Sequence, residues 1–449
     1  MITKFQKFLN DVKNKTISVL GMGVSNTPLI YLLLNAGAKV TIRDKAERDK
    51  LASAADDFEK LGAKFILGEN YLEGITDEVI FRSPGIHPAL PQIETAVKNG
   101  AYLTSEMEIF FEVCPGKIIA VTGSDGKTTT TTIIYELLKA QGFDCYVGGN
   151  IGTPLLDKTP DMDENSICVL ELSSFQLITM QKSPDIAVIT NITPNHLDVH
   201  KSYEEYIEAK LNVIKHNKNC RIILNRDNDE TFEVSKEYPA HLFSRRFDTE
   251  YCLKDGKIYA NEEAVIAISD IKIPGLHNVE NYMAALAATD GIVDRDTFRQ
   301  VAKTFNGVAH RMELVRELNG VRYYNDSIAS SPTRTIAGFH TFDQKMILIA
   351  GGSDKKVPFD ELGPEIIDHV KALVLIGKTS DKIEAAVLNA DGAKPPIYKM
   401  ETFEAAVKKA HDIAESGDIV ALSPASPSFD LFKNFVARGN YFKELVSKL

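Results

Sequence analysis

The sequence predicts an α/β protein with mostly parallel sheets, divided into three domains at 1–110, 111–309 and 310–449. Three observations predict it. The chain has 449 residues, more than one core accommodates. Short apolar runs of strand length alternate with stretches whose apolar residues recur at helical spacing. Several of those runs stop at glycine, serine, asparagine or acidic residues, where open α/β sheets carry their ligand-binding loops.

The first segment begins with a strand at Thr16–Leu20, the turn Gly21-Met-Gly-Val-Ser25, a helix through Ala36 and a second strand, Lys39–Ile42, ending at Arg43-Asp44. That is a Rossmann-like βαβ unit with a glycine-rich first turn and an acidic residue after the second strand. Asn26 stands where the dinucleotide fingerprint has its third glycine, so NAD, another nucleotide's diphosphate and a purely structural turn all remain open. A short strand, Glu78–Phe81, then leads into a second small-residue loop, Ser83-Pro-Gly-Ile86.

The second segment carries the strongest signal. Ile118–Val121 reads as a buried strand, Thr129–Leu138 as a helix, and between them lies Gly123-Ser-Asp-Gly-Lys-Thr128. A glycine turn between strand and helix aims backbone N–H groups and the positive end of the helix dipole at one place. Lys127 adds a full charge, and the Thr128 hydroxyl suits a phosphate-bound Mg²⁺. The loop is shorter than the usual P-loop, which wants a glycine where Val121 stands; the plain alternative is an ordinary turn with a solvent-facing lysine. Two further strands end in polar residues: Cys168–Glu171 runs into Leu-Ser-Ser-Phe-Gln-Leu177, and Ile186–Thr190 into Asn191-Ile-Thr-Pro-Asn-His-Leu-Asp198. A glutamate ending a buried strand is costly unless paired or metal-bound, which makes Glu171 a Mg²⁺ ligand candidate. His196 and Asp198 are expected to converge with it on the glycine turn.

In the third segment, from His310-Arg311, strands at Lys345–Ala350, Ala372–Ile376 and Asp418–Leu422 end in Gly351-Gly-Ser-Asp-Lys355 and Ser423-Pro-Ala-Ser-Pro-Ser428. Helical stretches between them make this segment α/β as well.

Composition narrows the function. The net charge is −11, from 51 basic and 62 acidic residues with no basic block, which excludes a nucleic-acid partner. Five scattered cysteines without a C-x-x-C pair argue for a reducing compartment and against a zinc site or disulfide framework. The first ten residues lack the apolar core of a signal peptide, and no apolar run approaches bilayer length. The expectation is a cytoplasmic protein without membrane insertion, and a monomer, since no coiled-coil seam is visible.

The ordered set of motifs resembles the Mur ligases: Val-Thr-Gly-Ser-Asp-Gly-Lys-Thr-Thr129, Glu171-Leu-Ser-Ser-Phe-Gln-Leu, Asn-Ile-Thr-Pro-Asn-His-Leu-Asp198, Gly275-Leu-His-Asn-Val-Glu-Asn281 and His310-Arg311. The first-domain turn, the Ser-Pro-Gly-Ile loop and the tail Leu422-Ser-Pro-Ala-Ser-Pro-Ser-Phe-Asp-Leu-Phe-Lys-Asn-Phe435 are similar to those members that add D-glutamate. The resemblance covers essentially the whole chain. It implies a UDP-binding domain, a P-loop-type ATPase and a Rossmann-like amino-acid-binding domain. The reaction it implies is phosphorylation of the carboxylate of UDP-MurNAc-L-Ala by ATP, then attack of D-glutamate on the acyl phosphate.

The site residues follow from the same resemblance. Gly123, Ser124, Asp125, Gly126, Lys127, Thr128 and Thr129 would bind ATP phosphates, with Thr128 and Glu171 on one Mg²⁺ and His196 on a second. Lys210 matches a lysine that is carbamylated in this family and so becomes an anionic metal ligand; by its residues alone it reads as a solvated helix lysine. Asn278 would contact adenine, or simply cap the helix that follows, and Arg311 and Asp326 would meet the nucleotide. Gly23, Val24, Ser25, Ser83, Pro84, Gly85 and Asn150 match the UDP-substrate side, and Lys355, Ser428, Phe429 and Phe435 the D-glutamate pocket. Two departures stand out. Ile328 occupies the place of a family lysine, for which Arg334 is the nearest downstream cation, and Asp125 replaces the commoner asparagine. A sister ligase, a folylpolyglutamate synthase and a catalytically silent nucleotide-binding module are the alternatives.

Overall fold

The computed structural model describes residues 2–51, 54–196, 199–355 and 357–449. Among the described residues the strands form three sheets, with helices in the connections between most of them. By compactness the chain divides into two units, Met1–Asp270 with His277–Lys303, and Ile271–Leu276 with Thr304–Leu449.

The first sheet contains β1 (Thr16–Leu20), β2 (Lys39–Asp44), β3 (Lys64–Leu67), β4 (Val79–Arg82) and β5 (Tyr102–Thr104), all parallel in the order β3-β2-β1-β4-β5. The order reverses at β1 and β4, so a crevice opens at their carboxyl ends. The two loops that the sequence singles out, Gly21–Ser25 and Ser83–Ile86, leave those ends.

In the same unit the second sheet holds β6 (Lys117–Thr122), β7 (Cys145–Gly149), β8 (Ile167–Glu171), β9 (Ile186–Ile189), β10 (Arg221–Asn225), β11 (His241–Ser244), β12 (Tyr251–Lys254), β13 (Lys257–Ala260) and β14 (Glu263–Ala267). Their order is β14-β13-β12-β11-β10-β9-β6-β8-β7. β6, β8 and β9 are buried almost throughout, which is why they read as continuous apolar runs rather than alternating ones. With β8 on one side of β6 and β9 on the other, the loops after all three strands crowd around the glycine turn. The antiparallel margin β12–β14 is absent from the sequence expectation. Its turns are Asp255-Gly256 and Asn261-Glu262, all four residues with positive φ. Two such residues in a row make the type I′ turn that suits the twist of a hairpin.

The second unit holds β15 (Glu313–Leu318), β16 (Val321–Asn325), β17 (Met346–Ala350), β18 (Val370–Leu375), β19 (Ile397–Lys399) and β20 (Ile419–Leu422), ordered β15-β16-β20-β17-β18-β19. Only the β15–β16 pair is antiparallel, closed by Asn319-Gly320, both with positive φ. Apolar side chains fill both faces of this sheet.

Candidate functional site

The glycine turn is built by close approach. Gly123 has φ +147°, and a Cβ there would lie 2.0 Å from the Thr190 Oγ1 and 3.0 Å from the Asn191 carbonyl. Gly126 has φ +77°, and its Cβ would lie 2.5 Å from Asn281 Oδ1. Only glycine fits either place. The turn is pinned from the β9 loop: Thr190 Oγ1 donates to the Asp125 carbonyl at 2.5 Å, Asp125 N–H to Asn191 Oδ1 at 2.9 Å, and Ser124 N–H to the Asn191 carbonyl at 2.9 Å. The helix Lys127–Gln141 starts directly behind it. Lys127 Nζ folds over the turn, donating to the carbonyls of Gly123 and Ser124 at 3.0 and 2.8 Å. Thr128 and Thr129 lie half-buried in the first turn of that helix.

Glu171 ends β8 and is fully buried. Asn150 Nδ2 donates to its Oε1 at 2.8 Å, and the backbone N–H of Asn150 donates to the Glu171 carbonyl at 2.8 Å. Its Oε2 is buried without a hydrogen-bond partner in the structure. An orphaned carboxylate oxygen is what a bound cation would satisfy. Asn150, expected to face the UDP substrate, also holds this carboxylate.

Lys210 corrects its reading as a solvated lysine. It is 1% exposed, on the helix Tyr203–Lys215, and its Nζ donates to the Gly123 carbonyl at 2.7 Å, 4.6 Å from the centre of the Tyr206 ring. Burial, then the charge of Lys127, push its amine well below the ordinary lysine value, although Asp125 and Glu171 pull the other way. The signal was in the sequence: Lys210 lies one turn from Tyr206 and from Val213-Ile214, inside the apolar stripe. Tyr206 itself hydrogen-bonds Ser124 Oγ, O to O 2.8 Å.

His196 is exposed, has φ +54°, and packs its ring 5.1 Å from that of Phe175, in the segment that follows Glu171. Asp198 lies outside the described residues. Asn278 is not a cap: the helix starts at Leu276, and Asn278 sits within it, its Oδ1 accepting from Asn281 Nδ2 at 3.2 Å. Thr130, in turn, donates to Asn281 Oδ1 at 3.1 Å. Asn281, Thr190 and Asn191 all shape the turn, and none is among the expected site residues although each stands in a quoted or strand-ending motif.

At the first sheet, Asn26 Nδ2 donates to the Leu20 and Gly21 carbonyls, filling the space of the missing third glycine. Asp44 accepts the Met22 N–H at 2.7 Å and the Ala46 N–H at 2.9 Å, so the acid that a dinucleotide fingerprint turns toward a ribose is taken up by its own loops. Gly23 and Val24 are exposed and Ser25 half-buried. The loop Ser83-Pro84-Gly85-Ile86 is organised by a residue the sequence reading passed over. Arg82 ends β4, is 1% exposed, and donates through Nη1 to the carbonyls of Ser83, Pro84 and Ile86. Through Nη2 it reaches the Phe175 carbonyl at 2.9 Å and Thr179 Oγ1 at 3.2 Å, linking this loop to the segment behind Glu171. A charge ending an apolar strand singles out Arg82 as it does Glu171.

In the second unit, the loops after β17 and β20 meet. Ser353 N–H donates to the Pro427 carbonyl at 2.9 Å and Phe429 N–H to Ser353 Oγ at 3.2 Å, which brings the segments of Lys355 and Ser428 side by side. Lys355 and Phe429 are exposed, Ser428 is buried, and Phe435 packs edge-on to His310. Buried Arg438 underpins them, donating to Ser327 Oγ, the Ser327 carbonyl and the Ser426 carbonyl. Asp326 is buried, accepts from Ser423 Oγ at 2.7 Å, and is pushed up to about 7 by burial, against the pull of Arg311 and Arg334. Arg334 approaches the missing-lysine position closely, Nη1 lying 3.4 Å from the Ile328 carbonyl.

A glycine turn at a helix start, flanked by a buried carboxylate and a buried lysine on neighbouring elements of a mostly parallel α/β protein, is an arrangement that suits a nucleotide's phosphates. Comparison with known proteins agrees with this class. Residues 121–289 match the family described as Mur ligase middle domain, and residues 310–426 that described as Mur ligase, glutamate ligase domain. Over the full length of both chains, this one is 52% identical to the UDP-N-acetylmuramoylalanine–D-glutamate ligase of Acetivibrio thermocellus and 50% identical to that of Ruminiclostridium cellulolyticum. The chain belongs to the Mur ligase family, in the branch whose members carry that name. Solved structures share the fold. The UDP-N-acetylmuramate–alanine ligase of Thermotoga maritima gives a TM-score of 0.59 at 16% identity, covering 97% of this chain and 99% of its own. The MurF ligase of the same organism, solved with ADP, gives 0.56 at 20% identity, covering 98% and 97%.

Proposed function

We propose that this chain joins D-glutamate to UDP-N-acetylmuramoyl-L-alanine at the expense of ATP, through an acyl phosphate, in the synthesis of peptidoglycan precursors. The observation that carries the reading is the end-to-end match, at 52% and 50% identity, to relatives named for that reaction. A carboxylate does not react with an amine at neutral pH because oxide would have to leave. Transfer of the ATP γ-phosphoryl group to a carboxylate oxygen makes phosphate the leaving group. The amine of D-glutamate then attacks the carbonyl carbon, the C–O bond to phosphate breaks, and the amine's proton is lost. Such a transfer needs alignment and charge neutralisation more than covalent help.

In this reading the N–H groups of Gly123–Thr129 and the ammonium of Lys127 hold the phosphates, with Asn278 toward the base. Mg²⁺ fits the donor set, since Glu171 offers a buried oxygen without a partner and the ion prefers hard oxygen ligands. Thr128, Glu171 and His196 would hold two such ions, which supply neutralisation of phosphate charge. Lys210 would serve them as a carbamate: burial disfavours the protonated amine, and the neutral amine reacts with carbon dioxide, losing a proton and gaining an anionic carboxylate. Gly23–Ser25, Ser83–Gly85 and Asn150 would face the UDP substrate, and Lys355, Ser428, Phe429 and Phe435 the D-glutamate. Arg311 and Asp326 keep the nucleotide role that the resemblance implies, and Arg334 that of the cation missing at Ile328. The reading also takes the three sheets as three domains at 1–110, 111–309 and 310–449, in a cytoplasmic monomer; among the described residues no helix is long and apolar enough to cross a membrane.

Oxygen transfer tests the mechanism. With ¹⁸O in the substrate carboxylate, one ¹⁸O per turnover appears in the released phosphate; unlabelled phosphate alongside ligated product would overturn the acyl-phosphate route.

A further inference from the structure

We propose that the second unit carries a binding site for an imidazole-seeking divalent metal such as Zn²⁺, formed by His340, Glu365 and His369. Nothing in the ligase chemistry above uses these residues. His340 follows the last residue of the helix Pro332–Phe339, and Glu365 and His369 lie one turn apart on the helix Leu362–His369. Each offers one ligand atom, and the three atoms lie within 4.8 Å of one another. His369 Nε2 and Glu365 Oε2 are 3.5 Å apart. A tetrahedral zinc with bonds of about 2.0–2.1 Å sets its ligand atoms roughly 3.3 Å apart, so that pair already has close to the required spacing, and His340, on an exposed side chain, has no more than about 1.5 Å to close.

The surroundings favour a cation there. Both helices have their C-terminal ends at this place, which puts the negative ends of their dipoles there. Asp343 and Asp368 line, with His340 and His369, a hollow of about 350 Å³, which leaves room for a water or a carboxylate as fourth ligand. Lys345, also in its lining, is the opposing charge; its Nζ is drawn to the Ile367 carbonyl at 2.7 Å. The His369 ring is held by stacking on Phe339 at 5.8 Å, and the His340 ring meets it edge-on at 5.1 Å. Two imidazoles and one carboxylate select zinc, nickel, cobalt or copper over Mg²⁺, which prefers oxygen ligands and waters. The bound ion would tie together the ends of two helices. The first of them also carries Arg334 and Thr335, and Thr335 hydrogen-bonds the loop after β20 through Ser423 and Ala425.

The test is titration of the full-length chain with Zn²⁺ in excess Mg²⁺, with Co²⁺ absorption in the visible as a check on geometry. The wild type binds one Zn²⁺ in this site and gives the intense visible bands of tetrahedral Co²⁺. His340→Ala, a change at an exposed side chain, and His369→Ala each weaken that binding by about tenfold or more and remove the Co²⁺ bands. Zn²⁺ affinity and Co²⁺ spectra unchanged in the His340→Ala/His369→Ala double variant, or no Zn²⁺ binding by the wild type, would overturn the proposal.

Discussion

Replacing Gly123 by alanine isolates the geometry on which the phosphate site depends. The new methyl would lie 2.0 Å from Thr190 Oγ1 and 3.0 Å from the Asn191 carbonyl, at a φ of +147° that L-residues rarely adopt. Overpacking of this kind costs about 1–3 kcal/mol, and a strained backbone region about 1–3 kcal/mol more. Pushing Thr190 aside also breaks its hydrogen bonds to the Asp125 and Thr122 carbonyls, each worth about 1 kcal/mol. The sum is about 4–8 kcal/mol, shared between folding stability and the shape of the turn. If only half falls on the turn, ATP binding weakens by roughly thirtyfold to several hundredfold. Calorimetric titration with ATP and Mg²⁺ reads the binding, and urea unfolding of the same variant reads the rest. Thr190→Ala in the same chain removes the shortest clash and restores part of the loss. ATP affinity within about twofold of wild type, with unchanged unfolding, would refute the claim that close approach at Gly123 shapes the site.

Three further outcomes are expected. Asn150→Ala removes the side-chain amide that donates to the Glu171 carboxylate and lowers Mg²⁺ affinity by about 10–100-fold; a change confined to the KM of the UDP substrate would leave Asn150 the substrate role alone and contradict its part in holding Glu171. Arg82→Lys cannot serve four carbonyls and a hydroxyl in one plane, so the KM for the UDP substrate should rise by about tenfold or more while that for ATP changes less, and equal effects on both would count against it. Glu106 is buried, accepts the Leu156 N–H at 3.2 Å, and is pushed up to about 7 by burial. Because this pKa lies above the unfolded value of about 4.3, its contribution is intact below that value and is lost as pH rises to about 7. Glu106→Gln should therefore gain in melting temperature over wild type between pH 5 and pH 8, and a gap that narrows over that range would contradict the assignment.

Much of the fold and part of the site were legible in the residues. Buried parallel strands leave unbroken apolar runs, so β6, β8 and β9 stood out, and the glycine turn after β6 could be placed with the neighbouring strand ends of Glu171 and Asn191. The antiparallel margins were not seen, although Asp255-Gly256 and Asn319-Gly320 are strong hairpin signals; their strands are short and only partly buried, and so carry little periodic pattern. Arg82 was passed over, and Lys210 entered the site only through the family resemblance, because the default places lysine and arginine at the surface. Both occupy positions whose neighbours are apolar, and that local conflict is the mark of a functional or organising charge. Asn278 shows the reverse: its type suggests a helix cap, and only the helix start at Leu276 shows that it lies inside.

The measurement that bears most directly on the central claim is phosphate release from ATP and Mg²⁺ in the presence of UDP-N-acetylmuramoyl-L-alanine, with D-glutamate compared with L-glutamate, L-lysine and meso-diaminopimelate. Release should depend on D-glutamate and be abolished in Lys127→Ala. Release driven by another acceptor, or none with any acceptor while ATP still binds, would contradict it.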